Sequence, residues 1–215
     1  MKMDKQRWKY SMGTTDMYLY GASGHAKVIC DIIEDAGNNV LGFIDDNENI
    51  VEFKGKIVEH TYNKQIPLII SIGNNSIRKK IAEKYPTEYG IALHPSAVIS
   101  KYATIGRGTV IMQGCIIQSE SHIGNHCIIN TGSSIDHECQ IDDYVHISPH
   151  ATLCGNVHVG EGSWIGAGST IIQGVKIGKW CIIGAGSVVT KDVPDGYLAV
   201  GNRCKLIKQI NKNLL

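Results

Sequence analysis

The sequence predicts two folded parts, an N-terminal α/β unit of the Rossmann-like βαβ type and a parallel β-helix with a C-terminal helix. A six-residue period of branched aliphatic residues, running from Ile99 to Val189, predicts the β-helix. A strand, a glycine turn and a helix-like run within residues 17–44 predict the βαβ unit. Glycine supplies 24 of the 215 residues and phenylalanine only 2, which is typical of a tightly turning, β-rich chain.

Charge and hydropathy exclude several classes of function. Lys and Arg number 21 against 20 Asp and Glu, a balance that fits neither a general nucleic-acid binder nor an anionic-membrane binder. No apolar run reaches the roughly 18 to 20 residues that cross a bilayer. Residues 1–16 lack the apolar stretch of a secretory signal, so we expect a disordered or vector-derived arm and a cytoplasmic protein.

The N-terminal unit, expected over residues 17–94, contains a candidate nucleotide site. Its first strand, residues 17–20, runs into the turn Gly21-Ala22-Ser23-Gly24-His25, which opens a helix. Free backbone N–H groups and the helix dipole favour phosphate at such a position. The turn lacks the complete Gly-x-Gly-x-x-Gly pattern, so a turn that merely joins strand to helix is an equally good interpretation.

Two further strands of this unit end in residues suited to a nucleotide. The second strand, residues 40–44, ends at Asp45 and Asp46, where ribose hydroxyls are often bound. The third, residues 67–72, ends at Gly73, and a helix is expected from Ser76 to about Lys84. The unit is too small for a full dinucleotide fold but has room for one nucleotide.

The β-helix, expected over residues 95–200, alternates a large and a small residue on its inner face. Side chains two residues apart in a strand point the same way, so this pairing fills one narrow interior. Three repeats make one triangular coil, and sixteen repeats give a little over five coils. The large position holds Ile99, Ile105, Ile111, Ile117, Ile123, Ile129, Ile135, Ile141, Ile147, Leu153, Val159, Ile165, Ile171, Ile177, Ile183 and Val189. The small position, two residues earlier, runs from Ala97 to Ser187 and never exceeds Val in size.

The same period assigns most cysteines and many glycines. Four of the seven cysteines, at positions 115, 127, 139 and 181, fall in the small inward position and are expected to be reduced core residues. Six glycines, at 106, 124, 160, 166, 178 and 184, follow a large aliphatic, where we expect the backbone to turn. Residues 201–215 are expected to form a helix with Leu206, Ile207, Ile210 and Leu214 on one face, covering the open end.

Six of the nine histidines lie in the repeat, at 122, 126, 137, 146, 150 and 158, and each alone is expected to be a solvated surface residue. No two of them are eighteen residues apart, so zinc bound by stacked histidines of one chain is not expected. His137 differs, because Asp136 and Glu138 flank it. A carboxylate beside an imidazole raises its basicity and fixes its tautomer, as a general base requires. The sequence leaves open which carboxylate reaches it.

Several motifs, taken with the repeat, resemble a known family. The region from Tyr18 to about Lys205 resembles the bacterial nucleotide-sugar N-acetyltransferases that act on UDP-4-amino-sugars, members of the left-handed β-helix acyltransferase superfamily. Sialic-acid O-acetyltransferase-like proteins are near relatives. The matching motifs are Tyr20-Gly21-Ala22-Ser23-Gly24-His25, Asp45-Asp46, Ile72-Gly73-Asn74-Asn75, Ile77-Arg78-Lys79-Lys80, Ile129-Asn130-Thr131, His137-Glu138-Cys139 and His146-Ile147-Ser148.

The resemblance implies an acetyl-CoA-dependent homotrimer, without a metal, whose active sites lie between subunits. It implies that His137 is the general base, that Glu138 tunes it, that Asn130 lies near the reacting group and that His146 contacts acetyl-CoA. The positions implied for the CoA groove are Gly155, Ala167 and Ala185. Those implied for the nucleotide sugar are Ser23, Gly24, His25, Asp45, Asp46 and Gly73.

The repeat adds a geometric argument of its own. His137 and His146 are nine residues apart, half of an eighteen-residue coil, so they are expected on different sides of the prism. If both serve one site, neighbouring subunits must supply them.

Three alternatives stay open at this stage: an O-acetyltransferase of a sugar or of sialic acid, a γ-type carbonic anhydrase with a trimer-bridging metal, and a non-catalytic scaffold. Arg203 stands where relatives have a proline, and it either meets a CoA phosphate or alters the exit turn. The nucleotide base, the stereochemistry of the sugar and the glycan pathway are not predicted.

Overall fold

The computed structural model describes residues 15–63 and 65–210. Its N-terminal unit is a five-stranded sheet with two helices, in the order β1 (Asp16–Tyr20), α1 (Gly24–Asp35), β2 (Asn39–Ile44), β3 (Glu52–Phe53), β4 (Lys56–Glu59), β5 (Leu68–Ile70) and α2 (Asn75–Lys84). The predicted strands and helices are present, although β5 is shorter than expected. Residues 1–14 of the predicted arm lie outside the described residues, and Asp16 begins β1.

The strand order of this sheet places its crevice. The order is β3-β4-β2-β1-β5, and β1 is parallel to both β2 and β5. After β1, the chain first adds β2 on one side of β1 and later adds β5 on the other side of β1. The topological switch point therefore lies at the carboxyl ends of β1 and β5, where α/β sheets bind ligands.

A parallel β-helix follows, built from two-residue strands that pair with a shift of eighteen residues, as in Ile117 with Ile135. We call its sides face 1 (β7, β10, β13, β16, β19, β22), face 2 (β8, β11, β14, β17, β20) and face 3 (β6, β9, β12, β15, β18, β21). Their bounds are β6 (Ala92–Leu93), β7 (Val98–Ile99), β8 (Thr104–Ile105), β9 (Val110–Ile111), β10 (Ile116–Ile117), β11 (His122–Ile123), β12 (Ile128–Ile129), β13 (Ser134–Ile135), β14 (Gln140–Ile141), β15 (His146–Ile147), β16 (Thr152–Leu153), β17 (His158–Val159), β18 (Trp164–Ile165), β19 (Thr170–Ile171), β20 (Lys176–Ile177), β21 (Ile182–Ile183) and β22 (Val188–Val189).

The interior matches the predicted alternation. From Ile111 onward every large position is at most 3% exposed, and from Ala103 onward every small position is at most 5% exposed. Cys115, Cys127, Cys139 and Cys181 are buried and free, as expected of core residues. The predicted fold class, an α/β unit followed by a parallel β-helix, is confirmed.

The reason given above for the glycines that follow an aliphatic is wrong. None of these six glycines has a positive φ; instead, successive coils approach too closely for a side chain. A Cβ on Gly106 would lie 2.5 Å from the backbone carbon of Gly124 in the next coil. The turning is done one or two residues later, by residues such as Gly108 at φ 72° and Glu138 at φ 60°.

The helix predicted over residues 201–215 is wrong for the described part, residues 201–210. The chain forms β23 (Tyr197–Val200), which continues face 3, and β24 (Lys205–Gln209), which returns antiparallel to it. Gly201, at φ 103°, begins the reversal, and the strand ladder satisfies the backbone groups that a helix would satisfy internally. Arg203 lies exposed in this turn. Residues 211–215 lie outside the described residues.

The first half of the helix α2 packs against one edge of the β-helix, the line of corners between faces 2 and 3. Asn75 Nδ2 donates to the carbonyl of Gly162 at 3.0 Å, and Lys79 pairs with Glu161 at the same corner. The two parts are thereby joined through polar contacts. Neither helix of the described chain is long and apolar enough to cross a membrane.

Candidate active site

His137 and Glu138 form the corner between β13 and β14. Glu138 Oε2 lies 3.0 Å from His137 Nδ1, whereas Asp136 Oδ1 accepts the backbone N–H of His137 at 2.8 Å. Glu138 is therefore the carboxylate that reaches the imidazole. It favours the tautomer with the proton on Nδ1, which leaves the Nε2 lone pair free to accept a proton. The His137 side chain is 57% exposed, so a substrate can reach it.

Gly155 lies one coil further along the same column of corners, directly against this imidazole. A Cβ on Gly155 would lie 2.5 Å from His137 Cε1 and 2.6 Å from His137 Nε2. The resemblance implied only the CoA groove for Gly155, and the structure shows in addition that its missing side chain makes room for the ring of His137.

His146 and Asn130 form a second cluster, on face 3. The Thr131 N–H donates to Asn130 Oδ1 at 2.8 Å, which turns the amide nitrogen of Asn130 toward His146 Nε2 at 3.1 Å. An amide N–H₂ can only donate, so His146 Nε2 accepts and its proton sits on Nδ1. Burial, helped by the charges of Arg78 and His25, lowers the pKa of His146 to about 3. The ring stacks on Trp164, with centroids 5.7 Å apart.

The residues expected to act together therefore lie in two separate clusters of one chain. Asn130 lies with His146 and not with His137. His137 stands at the corner between faces 1 and 2, whereas His146 lies on face 3, so the expectation that they occupy different sides of the prism is confirmed.

The start of α1 borders the crevice at the ends of β1 and β5. Ser23 is the N-cap residue but its side chain makes no capping hydrogen bond, and the first turn of α1 contains no acidic residue. A Cβ on Gly24 or on Gly73 would meet no atom within 4 Å, so both glycines line open space. This helix start is therefore an unobstructed, electropositive end of the kind that binds phosphate.

The two aspartates after β2 have different surroundings. Asp45 accepts the N–H of Ala22 at 2.8 Å and that of Asn47 at 2.9 Å, so it holds the glycine turn in place. Asp46 is exposed, and its partner Lys84 lies 3.3 Å away. The hydroxyl of Tyr20 and the Lys84 ammonium lower the pKa of the Asp46 carboxyl. Asp46 is thus the one of the pair that a ligand can reach, because its side chain is exposed.

His25, in the first turn of α1, lies close enough to His146 for the charges of the two rings to interact. Its Nε2 is buried and has no hydrogen-bond partner within the described chain. Burial, together with the charge of Arg78, lowers the pKa of His25 to about 4. A buried nitrogen without a partner in the described chain is suited to a hydrogen bond with a ligand.

Ala167 and Ala185 lie on another column of corners, between faces 3 and 1, one coil apart and both exposed. The N–H of Gly186 donates to the Ala167 carbonyl at 2.8 Å, which stacks the two corners. The residues predicted for the CoA groove therefore fall on two columns, one beside His146 and one beside His137.

Two buried residues were missed by sequence reasoning. His126 was expected to be solvated but is 4% exposed, between the rings of Tyr89 and Tyr144. Burial lowers the pKa of His126 to about 4. Arg78 is 1% exposed, and although its motif was noted, the sequence contained no signal of its burial.

The described residues contain no group of three or more His, Cys, Asp or Glu side chains placed to hold a metal ion. The inward cysteines are also unsuited to nucleophilic attack, since burial raises the pKa of the Cys127 thiol to about 12.

Comparison with known families defines the class of protein. Residues 16–85 match the PglD N-terminal domain, and residues 120–155 and 156–191 each match the bacterial transferase hexapeptide repeat. The chain is thus a hexapeptide-repeat transferase with a PglD-type N-terminal domain.

Solved structures and a curated relative narrow this class. The chain is 32% identical to a His→Asn variant of perosamine N-acetyltransferase from Caulobacter crescentus, solved with CoA and GDP-perosamine, over 93% of this chain and 99% of that one, with a TM-score of 0.85. It is 32% identical to the acetyltransferase domain of PglB from Neisseria gonorrhoeae, solved with acetyl coenzyme A, over 91% and 100% of the two chains, with a TM-score of 0.83.

The curated UDP-N-acetylbacillosamine N-acetyltransferase of Bacillus subtilis is 41% identical in an alignment 108 residues long that covers 44% of this chain and 50% of that protein. The matched segment thus spans half the length of that relative. The chain belongs to the family of bacterial sugar-nucleotide N-acetyltransferases, and the predicted family is confirmed.

Proposed function

We propose that the protein transfers the acetyl group of acetyl-CoA to the amine of a nucleotide-linked 4-amino-deoxysugar, with His137 as the general base. The observation that carries this proposal is the His137–Glu138 pair, with Nδ1 held by a carboxylate and Nε2 free at an exposed corner. Family membership supports the donor and the acceptor, since relatives were solved with CoA, acetyl coenzyme A and GDP-perosamine.

The reaction follows from this geometry. The amine nitrogen attacks the thioester carbonyl carbon while His137 Nε2 accepts the proton that the nitrogen loses. The C–S bond then breaks, and the CoA sulfur leaves as a thiolate that takes the proton from the imidazolium. Glu138 stabilises the positive charge that forms on the ring. A positioned general base contributes roughly 10² to 10⁴-fold to such a rate.

The acceptor fits the crevice at the ends of β1 and β5. The open start of α1 at Ser23 and Gly24 suits a diphosphate, and Asp46 suits a ribose hydroxyl. Asp45 supports the site by holding the turn, and Gly73 leaves room beside it. His25 extends from this crevice toward His146.

A complete site requires a second copy of the chain, because His137 and the His146–Asn130 pair lie on different sides of one prism. A homotrimer with three sites between subunits fits this division. Face 1 supports such contact, since Val98 and Ile116 are exposed there at 66% and 38%. In each site acetyl-CoA would contact His146, Ala167 and Ala185, with Gly155 on the side of His137.

A thiol-release assay tests the activity. Acetyl-CoA is supplied with UDP-, dTDP- and GDP-linked 4-amino-sugars, and the wild type is compared with His137→Ala and with the matched control His122→Ala, an exposed histidine on face 2. We expect a loss of about 10² to 10⁴-fold in kcat for His137→Ala and less than about twofold for His122→Ala. A loss of only a few-fold would remove His137 from its role, and activity on hydroxyl acceptors alone would indicate O-acetylation.

Mixed trimers test the shared site. When His137→Ala and His146→Ala chains are coexpressed in equal amounts, about a quarter of the sites regain both histidines from neighbouring subunits. The activity of the mixed trimers should therefore reach about a quarter of the wild-type value. Each parent variant, assayed alone, should be far less active. If one chain supplied both histidines, no mixed trimer would contain an intact site and the activity would not rise.

A further inference from the structure

Arg78, on α2, is a buried guanidinium that bonds both to the crevice and to the β-helix. On the crevice side, its Nη1 donates to the carbonyls of Ile72 and Gly73 at 3.0 and 3.1 Å. On the β-helix side, its Nε donates to the carbonyl of His126 at 2.7 Å and its Nη2 to that of Tyr144 at 2.9 Å. Nη2 also donates to Asn75 Oδ1 at 2.8 Å on α2 itself.

The two β-helix carbonyls belong to successive coils. His126 and Tyr144 are eighteen residues apart on the column of corners between faces 2 and 3, and both have a positive φ, 53° and 60°. The column borders face 3, where His146 and Asn130 lie. Ile72 and Gly73 form the turn after β5, at the switch point of the sheet. One planar side chain thus joins the turn that lines the crevice to the wall that holds His146.

The charge of Arg78 has no counter-charge. All five of its hydrogen bonds end on neutral oxygens, and no ion pair of Arg78 is found among residues 15–63 and 65–210. Burying a charge without a partner is costly, and a neutral residue would serve a purely structural contact better. What arginine offers is five donors in a rigid fork, which fixes the relative position of several acceptors at once.

We propose that Arg78 is a positioning residue for the acceptor, which holds the Gly73 turn of the crevice at a fixed distance from His146 and Asn130. This rests on the proposed function, because the crevice is taken to bind the nucleotide of the acceptor. An error of about 1 Å in placement can cost about 10²-fold in rate, so a rigid link between nucleotide and reaction centre has a direct catalytic value.

The test uses Arg78→Lys, which keeps the charge and loses the fork, with Lys80→Gln on the same helix as the matched control. UDP, GDP and dTDP are titrated as nucleotide probes, and acetyl-CoA separately, into the full-length protein. For the nucleotide that the wild type binds, we expect Arg78→Lys to weaken binding about tenfold or more, with acetyl-CoA binding changed less than about twofold. Hydrogen exchange of a peptide spanning residues 71–75 should accelerate about tenfold, while β16 to β19 stay protected.

Each other outcome contradicts the proposal in its own way. If the binding of nucleotide and of acetyl-CoA weakened equally, and hydrogen exchange accelerated throughout the protein, Arg78 would be a residue of general importance for stability. Unchanged nucleotide binding and unchanged exchange would remove its role altogether. A wild type that binds none of the three nucleotides would refute the proposed acceptor site itself, which is a different failure.

A second variant covers the case in which Arg78→Lys does not fold. Asn75→Ser removes one acceptor of the guanidinium, together with the hydrogen bonds that Asn75 Nδ2 donates to Gly162 and Ser163, but it keeps the charge of Arg78 and its four bonds to backbone carbonyls. We expect the same selective loss of nucleotide binding, about threefold, and an unaltered affinity would overturn the proposal.

Discussion

Gly155→Ala should disable the enzyme without unfolding it. The new methyl carbon would lie 2.5 Å from His137 Cε1, whereas ordinary contact begins at 3.4 Å, so the imidazole must retreat by about 0.9 Å. The backbone of Gly155 does not have a positive φ and accepts alanine without conformational strain. Because the ring of His137 is more than half exposed, it can move outward, and the stability should change little.

The loss of rate follows from that displacement. A general base must lie within hydrogen-bond reach of the proton it takes, and a misplacement of about 1 Å can cost about 10²-fold. We therefore expect kcat to fall about 10²-fold in Gly155→Ala, with the melting temperature lowered by only a few degrees. The control is Gln173→Ala, at the equivalent corner of the next coil, for which we expect a change of less than about twofold.

A double-mutant cycle separates this mechanism from a general disturbance. If Gly155→Ala acts by displacing the base, it should cost nothing further once His137→Ala has removed the ring. Thiol release is measured at saturating acetyl-CoA for both single variants and the double variant. Wild-type kcat in Gly155→Ala, or a full additional loss in the double variant, would refute the reasoning.

Three further predictions concern single contacts. Glu138→Gln keeps the shape of the side chain but removes the charge beside His137 Nδ1. We therefore expect kcat at saturating substrates to fall at least about tenfold. Retention of half the activity would contradict the role proposed for Glu138. His126→Asn removes a buried histidine whose pKa is lowered to about 4 and keeps a residue that tolerates a positive φ. Between pH 6.5 and 4 the unfolded chain binds a proton that the folded chain does not, so stability is lost as the pH falls through this window. In urea titrations the wild type should lose about 1.4 kcal/mol per pH unit more than the variant, and equal slopes would exclude His126 as the cause. Lys79→Met breaks the ion pair with Glu161, at the corner of the β-helix against which α2 packs. The free energy of unfolding should fall by less than about 1 kcal/mol. Nucleotide binding should stay unchanged, in contrast to Arg78→Lys.

The β-helix could be predicted residue by residue because a coil repeats one environment. Positions eighteen residues apart stack directly, so a six-residue period identifies the inward residues without any knowledge of other elements. The adjacency of His137 and Glu138 is likewise visible along the chain. Gly155 shows the limit of this reasoning: its neighbour His137 is one coil away, and the period indicates that they stack but not which way the imidazole leans.

Contacts that depend on docking could not be predicted from the sequence. His126 occupies a corner position, where its ring stacks on Tyr144 of the next coil, and Tyr89 of the N-terminal unit packs edge-on against its other side. The apolar residues Leu206 and Ile207 suit a helix face as well as a strand, so composition could not decide between them. The reversal at Gly201, which pairs β24 with β23, decided in favour of the strand.

The surroundings of the histidines also indicate which of them can move the proton. Burial and the guanidinium of Arg78 both oppose protonation of His146 and His25, whose pKa values fall to about 3 and about 4. A base of such low pKa takes a proton from an amine far less readily than an ordinary imidazole does, because the efficiency of general-base catalysis follows basicity. His146 also uses its Nε2 lone pair to accept from Asn130. His146 and His25 are thus suited to binding neutral groups, which supports the proposal that His137, exposed and beside a carboxylate, transfers the proton.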